Sequence, residues 1–104
     1  MIAKIINGRS TIGASRQLFY CSHGGYDNHQ QLVSNQSSNL VDLDINLGAF
    51  MNALDEIGLT NQVLVCTHSD FNRTMQCNSS LGTDHGWGNH QLILGGGIAG
   101  FPIT

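Results

Sequence analysis

Basic residues are few and scattered in this chain. Lys4, Arg9, Arg16 and Arg73 face seven Asp or Glu, for a net charge of −3. Neutralising a phosphate backbone needs clustered cations, so nucleic acid is excluded as the main partner. Cysteine is sparse too. Cys21, Cys66 and Cys77 form no Cys-x-x-Cys pair and no even-numbered framework. Cys21 and Cys66 lie in apolar runs and read as small buried hydrophobes, while Cys77 sits in a polar loop. No run approaches the roughly 18–20 apolar residues of a membrane-crossing helix. The stretch from Met1 to Asn7 lacks a signal-peptide core of adequate length. A nucleophile elbow of the form Gly-x-Ser-x-Gly is missing. Gly95-Gly96-Gly97 has neither the Lys-Ser/Thr of a P-loop nor dinucleotide-binding spacing, and reads as a tight turn.

What is present is glycine and histidine. Thirteen glycines beside one proline point to tight turns and close backbone approaches rather than a disordered tract. Five histidines in 104 residues point to metal binding or proton transfer, because imidazole is the commonest metal ligand and titrates near neutrality. The length suits one small domain or part of a larger one.

Hydrophobic periodicity orders the chain. Ile2, Ile5 and Ile6 at helical spacing predict the end of a helix, stopped at Gly8. Gln17-Leu18-Phe19-Tyr20-Cys21 reads as a short buried strand, followed by the polar loop from Ser22 to His29. Leu40, Leu43, Leu47, Phe50, Met51, Leu54 and Ile57 form one stripe of a helix from about Ser38 to Ile57. Ser38 or Asn39 would cap its start, and Gly58 would close it in a left-handed conformation. Val63-Leu64-Val65-Cys66-Thr67 is continuously apolar and β-branched, as in a strand covered on both faces of a parallel sheet. A long polar stretch from His68 to Asn89 precedes a third strand at Leu92-Ile93-Leu94. Strands separated by helices imply right-handed parallel crossovers, hence an α/β sandwich with its site at the carboxyl edge of the sheet.

Three clusters carry the chemistry. In Asp27-Asn28-His29, positions two apart face one side of extended backbone, so one ion could take both Asp27 and His29. In Thr83-Asp84-His85-Gly86, adjacent ligands need backbone freedom to converge, which Gly82 and Gly86 would provide. Asp70 follows the strand ending at Thr67, and Arg73 could hold an anionic group bidentately. Each cluster alone has a blander reading as solvated loop residues, a turn or a surface ion pair. Trp87 lines a pocket or packs in the core.

The segments RQLFYCSHGGYDNHQQ, LDINLGAFMNALDEIGLTNQVLVCTHSDFNRT and GTDHGWGNHQLILGGGIAG, in this order, resemble the C-terminal part of the family known as domain of unknown function 1501, within the alkaline-phosphatase-like (sulfatase-like) superfamily. The resemblance covers nearly the whole chain, residues 1–104. Asn28 stands where that family usually has Thr, and Asn72 where it usually has Gly. The resemblance implies a three-layer α/β/α sandwich with a mostly parallel sheet. It also implies a site holding one or two divalent metals, zinc first, with manganese or calcium as alternatives. By analogy Asp27, His29 and His85 would share one ion, with Asp84 a further ligand and Asp70 leaning toward a second ion. His23 and His90 are weaker candidates. The implied chemistry is hydrolysis or transfer of phosphate or sulfate esters, with an anionic small-molecule ester as substrate and Arg73 in contact with it.

The superfamily's nucleophile lies in an N-terminal half without a counterpart here, and Ser10, Thr11 and Ser15 follow no recognisable strand. The expectation is therefore a truncated, metal-binding portion of a hydrolase, inactive alone and completed by a missing N-terminal half. The family's frequent twin-arginine signals imply a periplasmic or cell-envelope location for the full-length protein, or a cytoplasmic one if no export signal lies upstream. A non-catalytic remnant or pseudoenzyme with a structural or partner-binding role is the first rival. A secreted polysaccharide-binding module using Trp87 and Tyr26 is the second.

Overall fold

Two helices meet where their apolar faces coincide. The structure, a computed structural model, describes residues 1–96. Helix α1 (Ile2–Asn7) ends at Gly8, and a 3-10 turn continues over Gly8–Ser10. Helix α2 (Leu32–Glu56) is longer than its sequence stripe, starting after Gln31 rather than at Ser38. Asn39 is thus inside the helix and caps nothing; its amide instead donates to the Gly25 carbonyl at 2.5 Å. The helix end is as the sequence reads. Gly58 takes φ +66°, its N–H bonds the Asp55 carbonyl at 2.9 Å, and the Leu59 N–H bonds the Leu54 carbonyl at 2.9 Å. This is a Schellman closure, and it brings Leu59 onto Leu54. Those two residues and Ile6 are the buried core, with Ile2, Phe19, Phe50, Met51, Ile57 and Val63 packed around it.

The expected three-layer α/β/α sandwich with a mostly parallel sheet is not formed. Strands β1 (Val65–Cys66), β2 (Asn72–Arg73), β3 (His85–Gly86) and β4 (Ile93–Leu94) make two separate two-stranded sheets, both antiparallel. Val65 faces Leu94 and Cys66 faces Ile93 in one, while Asn72 faces Gly86 and Arg73 faces His85 in the other. A parallel pair needs a crossover, and no helix lies between β1 and β4. Continuous apolar character misled here. Along residues 63–67 exposure alternates, with Val63, Val65 and Thr67 half-buried and Leu64 and Cys66 exposed. That is the pattern of a sheet covered on one face.

The expected first strand is absent as well. Residues 17–28 form no helix or strand, and Leu18 is 98% exposed. Cys21 and Cys66, expected in the core, are exposed with Cys77. The polar stretch from His68 to Asn89 is not a plain loop, since it contains β2 and β3. The expected turn at Gly95-Gly96-Gly97 runs past the described residues at Gly97. No described helix is long and apolar enough to cross a membrane.

The molecule is open for its mass. Its surface is 8176 Å², where a folded chain of 11.2 kDa exposes about 5,700 Å². The radius of gyration is 16.8 Å, against roughly 13 Å for a compact chain of 100 residues.

Candidate metal centre

Three segments converge on the carboxylate of Asp27. The first is the extended stretch entering α2. Asn28 is buried there, and its carbonyl accepts from the Thr83 N–H at 3.1 Å. With Asn28 turned inward, Asp27 and His29 point to the other side, as period-two backbone requires. This stretch is laced to residues 80–83 by Gln31 N–H to Ser80 C=O at 3.2 Å and Leu32 N–H to Leu81 C=O at 2.9 Å. The approach is so close at Gly82 that a Cβ would run into the backbone of His29 and Gln30. Gly82 and Gly86 both keep ordinary φ values. They serve this site through the space they leave and not through the backbone freedom read from sequence.

The second and third segments are β2 and β3, which set Arg73 opposite His85. Phe71 stacks on the His85 ring at 4.0 Å and 15°, covering one face of the imidazole whose Nε2 reaches Asp27. The Arg73 side chain is half-buried. Its Nε donates to Thr83 Oγ1 at 3.0 Å and its Nη2 to the Thr83 carbonyl at 2.5 Å. Thr83 is itself buried, so the guanidinium is held from behind.

All short contacts to Asp27 use one oxygen. Oδ1 receives Arg73 Nη1 at 2.6 Å, and the Nε2 atoms of His29 and His85 lie 3.0 and 3.1 Å from it. These hydrogen bonds, from His85 first and Arg73 second, hold the Asp27 carboxyl below the usual carboxylate range. Asp84 is held low in the same way, by His29 first and then Asn78. Asp27, His29 and His85 can each offer a ligand atom within 4.8 Å of the other two, and all three are exposed. Two imidazoles and a carboxylate are a borderline donor set that suits zinc, and three protein ligands leave a position open. The 3.0 and 3.1 Å separations are slightly tighter than the ~3.3 Å edge of a tetrahedron with zinc–nitrogen bonds of about 2 Å.

The other sequence candidates sit elsewhere. Asp84 is outside that group and accepts from His29 Nδ1 at 3.0 Å. Asp70 lies in the bend before β2, and His90 between β3 and β4, neither in the group. His23 joins a separate clamp, its Nε2 2.9 Å from Asp42 Oδ2 and its Nδ1 3.0 Å from the Tyr26 hydroxyl. Burial first and the Asp42 carboxylate second push the Tyr26 phenol above its ordinary value, so it remains protonated. Together with Asn39, this clamp ties the loop carrying Asp27 to α2. The site is therefore not at the carboxyl edge of a parallel sheet. It lies on the β2–β3 pair where that pair meets the entry to α2.

Two contributors were invisible to the sequence reading. Asn78 donates to the His29 carbonyl at 2.9 Å and to Asp84 Oδ1 at 3.0 Å, while its own Oδ1 accepts the Ser80 and Gly82 N–H groups at 3.0 Å. Asn-Ser-Ser is an Asx-turn signal, so the turn was legible, although its two long-range bonds were not. Phe71 read as part of a motif and carried no signal of stacking.

A family model described as "Protein of unknown function (DUF1501)" matches residues 2–101. The chain belongs to the DUF1501 family. No curated protein and no solved structure matches it. The match takes in both the segment that supplies Asp27 and His29 and the one that supplies His85.

Proposed function

We propose that this chain is the metal-binding portion of a hydrolase of the alkaline-phosphatase-like superfamily, acting on phosphate or sulfate esters and inactive without a further part that brings the nucleophile. The observation that carries the reading is the meeting of Asp27 and His29, from the stretch entering α2, with His85 of β3, their ligand atoms within 4.8 Å of one another. Zinc is the ion best matched to this set, and manganese and calcium are the alternatives. Such an ion supplies Lewis-acid polarisation of an ester oxygen and a lowered pKa for bound water. Arg73 uses one N–H on each of Nε, Nη1 and Nη2 for Thr83 and Asp27. Among the described residues two of its five donors have no partner, and they could meet an anionic ester oxygen.

The reading as the C-terminal part of a larger domain rests on surface, not on where the chain begins or stops. Leu18, Tyr20, Val41, Ile45, Leu64 and Ile93 are all exposed large hydrophobics. So much uncovered apolar surface marks contact with further polypeptide. Equilibrium dialysis of the chain against zinc, manganese and calcium at neutral pH tests the proposal. One bound ion is expected, lost in His85→Ala and Asp27→Ala; no bound ion in the unaltered chain sinks it. Hydrolysis of an aryl phosphate or sulfate by the chain alone would contradict its inactive state.

One observation favours a second, non-catalytic reading. Arg73 Nη1 lies 2.6 Å from Asp27 Oδ1, so Asp27 already has a cation. In that case the cluster ties three segments together and serves a structural or partner-binding role. Thermal unfolding with and without a chelator separates the two: a shift favours the metal, and its absence favours the structural cluster.

A further inference from the structure

We infer that Asp84 is a positioning residue that holds His29 as its Nδ1–H tautomer and aims Nε2 at Asp27 and His85. The inference deepens the metal-site reading above and rests on it for its functional meaning. A carboxylate oxygen lies 3.0 Å from each ring nitrogen of His29: Asp84 Oδ1 at Nδ1 and Asp27 Oδ1 at Nε2. A neutral imidazole has one N–H and can satisfy only one of them. The Asp84 contact has hydrogen-bond alignment, whereas the Asp27 contact is a close approach within ion-pair range. The proton therefore belongs on Nδ1, and the Nε2 lone pair faces the Asp27 oxygen. Two electron-rich atoms at that distance repel each other unless a cation lies against both.

Asp84 is well placed for this work because it is itself held. Asn78 Nδ2 bonds the same Oδ1 at 3.0 Å and the His29 carbonyl at 2.9 Å. The Asp84 backbone carbonyl accepts the Thr74 N–H at 2.9 Å. Ring and backbone of His29 are thus both referred to one asparagine. Neighbouring residues divide the labour: His85 reaches Asp27 directly, and Asp84 acts through His29. A carboxylate behind a ligating imidazole fixes its tautomer and raises its basicity.

Two measurements on the 104-residue chain test this. Nitrogen-15 NMR of the metal-free chain at neutral pH reads the His29 tautomer. Nδ1–H is expected, replaced by a mixture in Asp84→Ala and largely kept in Asp84→Asn, whose amide oxygen still accepts. An Nε2–H ring in the unaltered chain overturns the inference. Zinc titration of Asp84→Ala, His29→Ala and the double variant reads the route of action. Asp84→Ala is expected to weaken zinc by about 10–100-fold, with the double variant no weaker than His29→Ala alone. A further loss in the double variant would make Asp84 a ligand in its own right and overturn the positioning role. If the unaltered chain takes up no zinc, the function reading fails by itself, and the tautomer still decides the role of Asp84. Asn78→Ala guards against misfolding in the Asp84 variants: it leaves both partners in place and should loosen the tautomer preference.

Discussion

The helical corner and the polar cluster hold the molecule by opposite means. At the corner, Ile6, Leu54 and Leu59 are buried and the backbone closes on Gly58; the stabilisation is area removed from water. At the cluster, Asp27, His29, Asp84 and His85 are exposed, yet six hydrogen bonds cross between segments ten or more residues apart in sequence. Exposed polar contacts contribute little stability apiece. They fix direction. The corner keeps the chain folded, and the cluster keeps three side chains aimed at one point.

The largest break in this comparison is Leu54→Ala. Removing the fully buried side chain should cost about 2–5 kcal/mol, read as a fall in the urea midpoint, while the proposed zinc binding survives under native conditions. An unchanged midpoint would refute the corner's role. Gly82→Ala is the mirror experiment. Its methyl group meets the His29–Gln30 backbone, and about 1–3 kcal/mol of overpacking falls on the site. Zinc affinity should drop sharply with helical ellipticity intact; unchanged affinity would refute the close approach. Gly58→Ala, at φ +66°, should cost about 1–2 kcal/mol through the α2 closure alone, leaving zinc affinity as it was.

Local structure was the legible part. The Leu54, Gly58 and Leu59 closure followed from a periodic stripe meeting a glycine, a pattern contained within a few residues. The same-side placement of Asp27 and His29 followed from strand period. Long-range architecture was not legible. The run from Val63 to Thr67 is apolar at every position, and apolar character cannot say whether both faces will be covered. Leu18 and Tyr20 read as core for the same reason, and both are exposed. Asn78 and Phe71 contribute by bonds and stacking to residues distant in sequence, which no spacing rule encodes. The position of Asp84, beside His29 and outside the Asp27–His29–His85 group, depends on a rotamer, and adjacency to His85 is silent about it.

Acid provides the gentlest test, because it acts on the cluster and spares the apolar corner. The folded-state pKa values of Asp27 and Asp84 are both depressed, by His85 and Arg73 in one case and by His29 and Asn78 in the other. A depressed carboxyl binds its proton less readily folded than unfolded. Its contribution is therefore complete above the unfolded value of about 3.9 and is lost as pH falls through the folded value. Both groups are open to solvent, so the effect is small and shrinks with added salt. Trp87, the one tryptophan, directly follows β3 and reports on the cluster, while far-UV ellipticity reports on α2. Below the ordinary carboxylate range the Trp87 signal should change before the helical signal does. Asp27→Asn should flatten the acid response of Trp87 and leave that of α2 as it was. Coincident transitions in the unaltered chain would mean that corner and cluster unfold as one unit, and that the division of labour between them does not extend to stability.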